Sequence, residues 1–148
     1  RVFCGEGENE QAILAGLKWL VPFDLEKEKV LIRRQNALGF GDRKIAIFEV
    51  TLTKNGHVKV FLDNLLAKIS EQDKKTMLRQ LDSRIDKDAN FFIRFEKERL
   101  SEHQDLLLID GGNCYHIKIK IAAYPSTKGR AMEAAREMLS KQDRSCQE

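Results

Sequence analysis

Three histidines are the first residues to weigh for chemistry: His57, His103 and His116. A general base or a metal site needs a carboxylate, a cysteine or a second histidine at a fixed spacing. None of the three has such a partner. His57 falls near a helix start, His103 in a polar loop, and His116 on a strand beside Lys118. Cys4, Cys114 and Cys146 are odd in number, far apart and without a C-x-x-C pair. They read as reduced apolar fillers, with Cys146 exposed in a polar tail, and not as zinc ligands or a disulfide framework. Gly5-x-Gly7 opens like a phosphate loop but lacks the remaining glycines and the Lys-Ser/Thr pair, and Glu6 and Glu8 would repel phosphate. Asp82, Asp86 and Asp88 lack the glycine and terminal glutamate of a calcium loop. Ser126 has no nucleophile elbow. The expectation is a non-enzyme with no catalytic residue, no metal and no cofactor.

What remains is positive charge beside aromatic rings. Arg33, Arg94, His116, Lys118 and Lys120 take the polar side of expected strands, and Phe92 and Tyr124 share it. Basic side chains neutralise phosphates and aromatic rings stack on unpaired bases, so Arg33, Arg94, His116, Lys118, Lys120 and Tyr124 are the candidate RNA-binding residues. The plainer reading is a solvated face whose cations pair with Glu49 and Glu96. The alternative function is a protein-interaction or assembly module, for which Phe92 and Tyr124 supply a small apolar patch or an edge strand accepts a partner. The chain has 26 Lys and Arg against 23 Asp and Glu, a net charge of +3, which permits nucleic acid without demanding it. The start at Arg1 suggests a trimmed N-terminus. No signal peptide or membrane-spanning run is visible, and a cytoplasmic protein is expected.

The elements that must position these residues follow from periodicity. Residues 2–4 suit a first strand. Asn9 can cap a helix carrying Ile13, Leu14, Leu17 and Leu20, which Pro22 ends. Residues 30–35 and 45–53 read as two strands joined by the turn Gly39-Phe40-Gly41-Asp42. Val58, Phe61, Leu62, Leu65 and Ile69 form a helical stripe. Ser70 followed by Asp73 resembles a capping box for a helix bearing Met77, Leu78 and Leu81. Strands are expected at Phe91, Ile93 and Phe95, at 106–110, and at 116–124, where Ile117, Ile119, Ile121 and Ala123 alternate with polar residues. Ser126 or Thr127 can cap a last helix with Ala131, Ala135, Met138 and Leu139 inward, and the tail from Lys141 should fray. The order β-α-β-β-α-α-β-β-β-α over 148 residues predicts one α+β domain. Its architecture is a two-layer sandwich, with a mostly antiparallel sheet of about six strands and helices on one face. Phe61 and Ile119 should lie buried in its shared core.

Three stretches carry a resemblance: Phe61-Leu62-Asp63-Asn64-Leu65-Leu66, then Leu81 to Asp86 leading through Asn90 to Lys97, then His116 to Pro125 ahead of the last helix. In this order they resemble an archaeal family of RNA-binding proteins regarded as exosome subunits. The family's fold is similar to that of the ribosomal protein that binds the small ribosomal RNA of the large subunit. The resemblance implies RNA as partner, an accessory place in an RNA-processing complex, and no catalytic residue.

Overall fold

The computed structural model describes residues 1–141, so the rest of the expected frayed tail, with Cys146, lies outside the described residues. The elements are β1 (Val2–Gly5), α1 (Glu10–Leu20), β2 (Arg33–Leu38), β3 (Lys44–Glu49), α2 (Asn55–Lys68), α3 (Glu71–Arg79), α4 (Leu81–Arg84), β4 (Asn90–Glu96), α5 (Lys97–His103), β5 (Cys114–Lys120) and α6 (Lys128–Ser140). The class is α+β. The five strands form one open antiparallel sheet in the order β2-β3-β1-β5-β4, five strands where the sequence suggests six. No helix among the described residues is long and apolar enough to cross a membrane.

The missing strand is 106–110. It makes only an isolated bridge, Leu108 to Phe95, with Leu107 accepting from the Glu96 amide at 2.9 Å. In its place α5 follows β4 directly. Its N-cap is Glu96, whose carboxylate accepts from the amides of Glu98 and Arg99, and its one buried apolar residue is Leu100. The expected last strand also stops early, at Lys120.

Two compact units are distinguished, Arg1–Leu65 with Arg94–His116, and Leu66–Ile93 with the chain from Ile117 onward. In the first unit, α1 packs on β1 and α5. Asn9 caps α1 by accepting from the Ala12 amide at 3.1 Å, and the helix buries Ile13, Leu17 and Leu20. Val2, Phe48, Phe95, Leu100 and Tyr115 are buried with them. In the second unit α3, α4 and α6 pack on one another. Ser70 caps α3 through the Asp73 amide and Thr127 caps α6 through the Arg130 amide, each cap worth about 1 kcal/mol. Met77, Leu81, Phe91, Ile93, Ala131 and Leu139 are buried there. Phe61 and Ile119 reach only half-burial, so the full burial expected of them is not observed.

Candidate nucleic-acid interface

Residues directly opposite in an antiparallel pair point to the same side of the sheet. In the first unit the register sets Val2 against both Phe48 and Tyr115, and Arg34 against Phe48. This is the inner side. The Tyr115 hydroxyl donates to the Ile13 carbonyl of α1 at 2.7 Å, and burial pushes the phenol's pKa up. The Arg34 guanidinium lies 5.5 Å from the Phe48 ring centre and pairs with Glu10 of α1.

The next residues along each strand face outward. Phe3 stands opposite Ile47, and Ile47 opposite Gln35. One step further, His116 and Arg1 exchange backbone hydrogen bonds of 2.8 and 3.0 Å, which makes them direct neighbours. Arg1 donates to Glu49 at 2.8 Å, and Glu49 lies opposite Arg33. A cross-strand row thus runs His116, Arg1, Glu49, Arg33. Arg1 holds the Glu49 carboxyl below its usual range; partial burial opposes this, and the nearby Arg33 charge assists. Beside the row, Phe3 is 49% exposed. Arg1, Phe3, Arg94 and His116 line a cleft of about 200 Å³, with Lys97 and Cys114.

Lys97 is buried, and its Nζ donates to the Phe3 carbonyl at 2.8 Å and to Glu8 Oε2 at 3.0 Å. Glu8 also accepts from the Gly5 amide at 2.7 Å. Burial acts to raise the Glu8 carboxyl, but the Gly5 amide and Lys97 outweigh it and leave it low. The Gly5-x-Gly7 loop is therefore closed by its own glutamate. Burial pushes the Cys114 thiol up, which disfavours the thiolate needed of a nucleophile.

Lys118, Lys120 and Tyr124 belong to the second unit. The two lysines are exposed on alternate positions of β5. Lys120 Nζ donates to the Asp88 carbonyl. The Asp86 carboxyl is held low by the Asn90 amide first, then by the Asn90 side chain, with a small contribution from Lys118. Tyr124 is 97% exposed but lies beyond the end of β5, so strand alternation does not place it.

Of the six residues singled out in the sequence, Arg33 and His116 thus share one row, Arg94 adjoins it at the cleft, and Lys118, Lys120 and Tyr124 sit in the other unit. The expected pairing of strand cations with Glu49 and Glu96 takes a different form. Glu49 bonds Arg1, and Glu96 is spent on the α5 cap. Sequence reasoning missed Arg1 and Phe3. The signal for Phe3 was present, because Val2 and Cys4 facing inward leave it on the opposite side.

The chain belongs to the RNA-binding family, whose model, described as RNA binding, matches residues 1–123. It is 24% identical over 143 residues to "RNA-binding protein PAB1135" of Pyrococcus abyssi, a match covering 97% of this chain and 92% of that protein. Among solved structures, protein AF2318 from Archaeglobus fulgidus superposes with a TM-score of 0.81 and 28% identity, over 93% of this chain and 94% of that one. Mth689, a DUF54 protein from Methanothermobacter thermautotrophicus, gives a TM-score of 0.74 at 21% identity, over 94% and 93%. The latter likeness is one of fold.

Proposed function

We propose that the protein is a non-catalytic RNA-binding protein that takes unpaired RNA on the outer side of its sheet, with an accessory role in RNA processing or degradation in the cytoplasm. The observation that carries this is the row His116, Arg1, Glu49, Arg33 beside the half-exposed ring of Phe3. Cations there meet phosphates, and the ring offers a base a stacking platform. Family membership supports RNA as the ligand. In the second unit, Lys118, Lys120 and Tyr124 are proposed as RNA contacts in their own right. The non-catalytic part of the reading rests on the resemblance read in the sequence, which implies no catalytic residue. His57 stacks on Phe23 and bonds Glu28 at 3.0 Å. Among the described residues no three His, Cys, Asp or Glu side chains gather to hold a metal. The place in an RNA-processing complex rests on the resemblance read in the sequence.

The test is a salt titration of a labelled single-stranded oligoribonucleotide by fluorescence anisotropy. Neutralising about four phosphates gives a logarithmic salt slope near −3, so affinity should fall roughly fifty-fold between about 50 and 200 mM salt. The Lys118→Glu, Lys120→Glu double variant should bind more weakly with a slope shallower by about 1.4, two phosphates' worth, while keeping its circular dichroism. Absence of binding at 50 mM salt, or binding indifferent to salt, would refute the proposal.

A further inference from the structure

The hairpin joining β2 to β3 ends in a short 3-10 turn, Phe40–Asp42. Its geometry is tightly set. The Gly39 amide donates to the Arg43 carbonyl at 2.7 Å across the neck. Gly41 and Asp42 both take left-handed backbone, at φ 70 and 58 degrees. A Cβ at position 39 would come within 2.5 Å of Ile45 Cδ1, so that side chain packs closely against the neck. Held on this turn, Phe40 is 101% exposed, and Leu38 beside it is 68% exposed. A phenylalanine presented wholly to water forgoes about 2–3 kcal/mol of burial that the fold could have used. One exposed apolar residue means little. Here an aromatic ring sits at the end of a fixed projection with exposed Arg43 and Lys44 next to it.

Charge decides what that ring would meet. Between positions 33 and 44 the hairpin carries Arg33, Arg34, Arg43 and Lys44 against Asp42 alone. An apolar protein contact is usually poor in lysine at its centre. An RNA strand supplies both phosphates for the cations and a flat face for the ring. We propose that the hairpin tip is a second RNA contact, in which Phe40 stacks on an unpaired base while Arg43 and Lys44 hold the adjoining phosphates. This rests on the RNA reading above and extends it. The tip stands at the far end of β2 from Arg33, about 20 Å along a strand rising about 3.4 Å per residue, so the RNA path follows the hairpin.

The experiment uses an RNA stem-loop with 2-aminopurine in its unpaired loop and a fully paired duplex of equal length. Phe40→Ala should weaken binding of the stem-loop at least about five-fold and abolish the fluorescence change of the loop base, with duplex binding unmoved. Phe40→Trp should retain both affinity and fluorescence change. Parent-like affinity and fluorescence in Phe40→Ala would overturn the tip contact while leaving the sheet contact standing. A parent that binds neither RNA at 50 mM salt would overturn both. Concentration-dependent self-association by light scattering, lost in Phe40→Ala, would assign the tip to a protein contact and overturn the proposal.

Discussion

Tyr115→Ala should cost about 3–5 kcal/mol in urea unfolding followed by the fluorescence of Trp19, the sole tryptophan. Tyr115 is buried, and its hydroxyl satisfies the Ile13 carbonyl inside the first unit. The truncation opens a ring-sized cavity and strands that carbonyl. A second pair of variants tests the same contact from the other side. A Cβ added at Gly16 of α1 would lie 2.4 Å from the Tyr115 hydroxyl, 3.0 Å from its Cζ and 2.9 Å from Leu100 Cδ2. Alanine in a helix is intrinsically better than glycine by about 1 kcal/mol, so a surface change of this kind would stabilise. Here overpacking of about 1–3 kcal/mol opposes it. The ring cannot retreat without giving up the Ile13 bond. Gly16→Ala should therefore destabilise the parent, and much less so a Tyr115→Phe background that lacks the oxygen. The pair should show a coupling energy of about 1–2 kcal/mol. Additive effects would mean that the close approach does not govern this packing.

Reversing two cations at the outer row should produce the largest change in binding. Arg33→Glu with Arg94→Glu removes two phosphate contacts, each carrying about 0.7 of logarithmic salt slope, so affinity at about 50 mM salt should drop roughly sixty-fold. Glu49→Gln should act in the opposite direction. Glu49 lies between Arg1 and Arg33 and neutralises part of their charge. Taking its charge away releases both guanidinium groups toward the ligand and should tighten binding several-fold, with a steeper salt slope. Its loss to folding is small, because exposed ion pairs are worth about 0–1 kcal/mol. Anisotropy titrations of the two variants beside the parent give the signs directly. Weaker binding by Glu49→Gln would place the RNA away from this row.

Local signals were readable wherever the chain is strictly periodic. The alternation of Phe91, Ile93 and Phe95 marks β4, and the oxygen-bearing caps Asn9, Ser70 and Thr127 mark the starts of α1, α3 and α6. The failures lie where a pattern has no local cause. The run Leu106-Leu107-Leu108-Ile109 looks like a buried strand, yet it pairs only at Leu108. Helix α5 was hidden because its cap is a glutamate at a strand end and its single buried apolar residue, Leu100, sets no period. Strand β2 begins three residues later than 30–35 suggests, because its register answers to β3 across the Gly39–Arg43 neck. The site suffered most from this. That His116, Arg1, Glu49 and Arg33 form a row follows from β1 lying between β3 and β5. Nothing within a single strand records which strand will be its neighbour.

The place of β2 at the end of the sheet has a consequence for handling the protein. It pairs with β3 on one side only, so its other backbone edge offers a template on which a second chain could polymerise. Leu31 and Leu38, both largely exposed, flank that edge. Charged side chains deter such strand addition, and Arg33 and Arg34 are the charges present. Alanine at position 33 would therefore confound a binding experiment with aggregation. Arg33→Ala should turn cloudy on concentration or mild heating while Arg33→Glu stays clear, a difference that turbidity measures. A phosphate strand lying over Arg33 would mask part of the same deterrent, and the complex should be the less colloidally stable of the two states until the RNA is long enough to contribute its own repulsion.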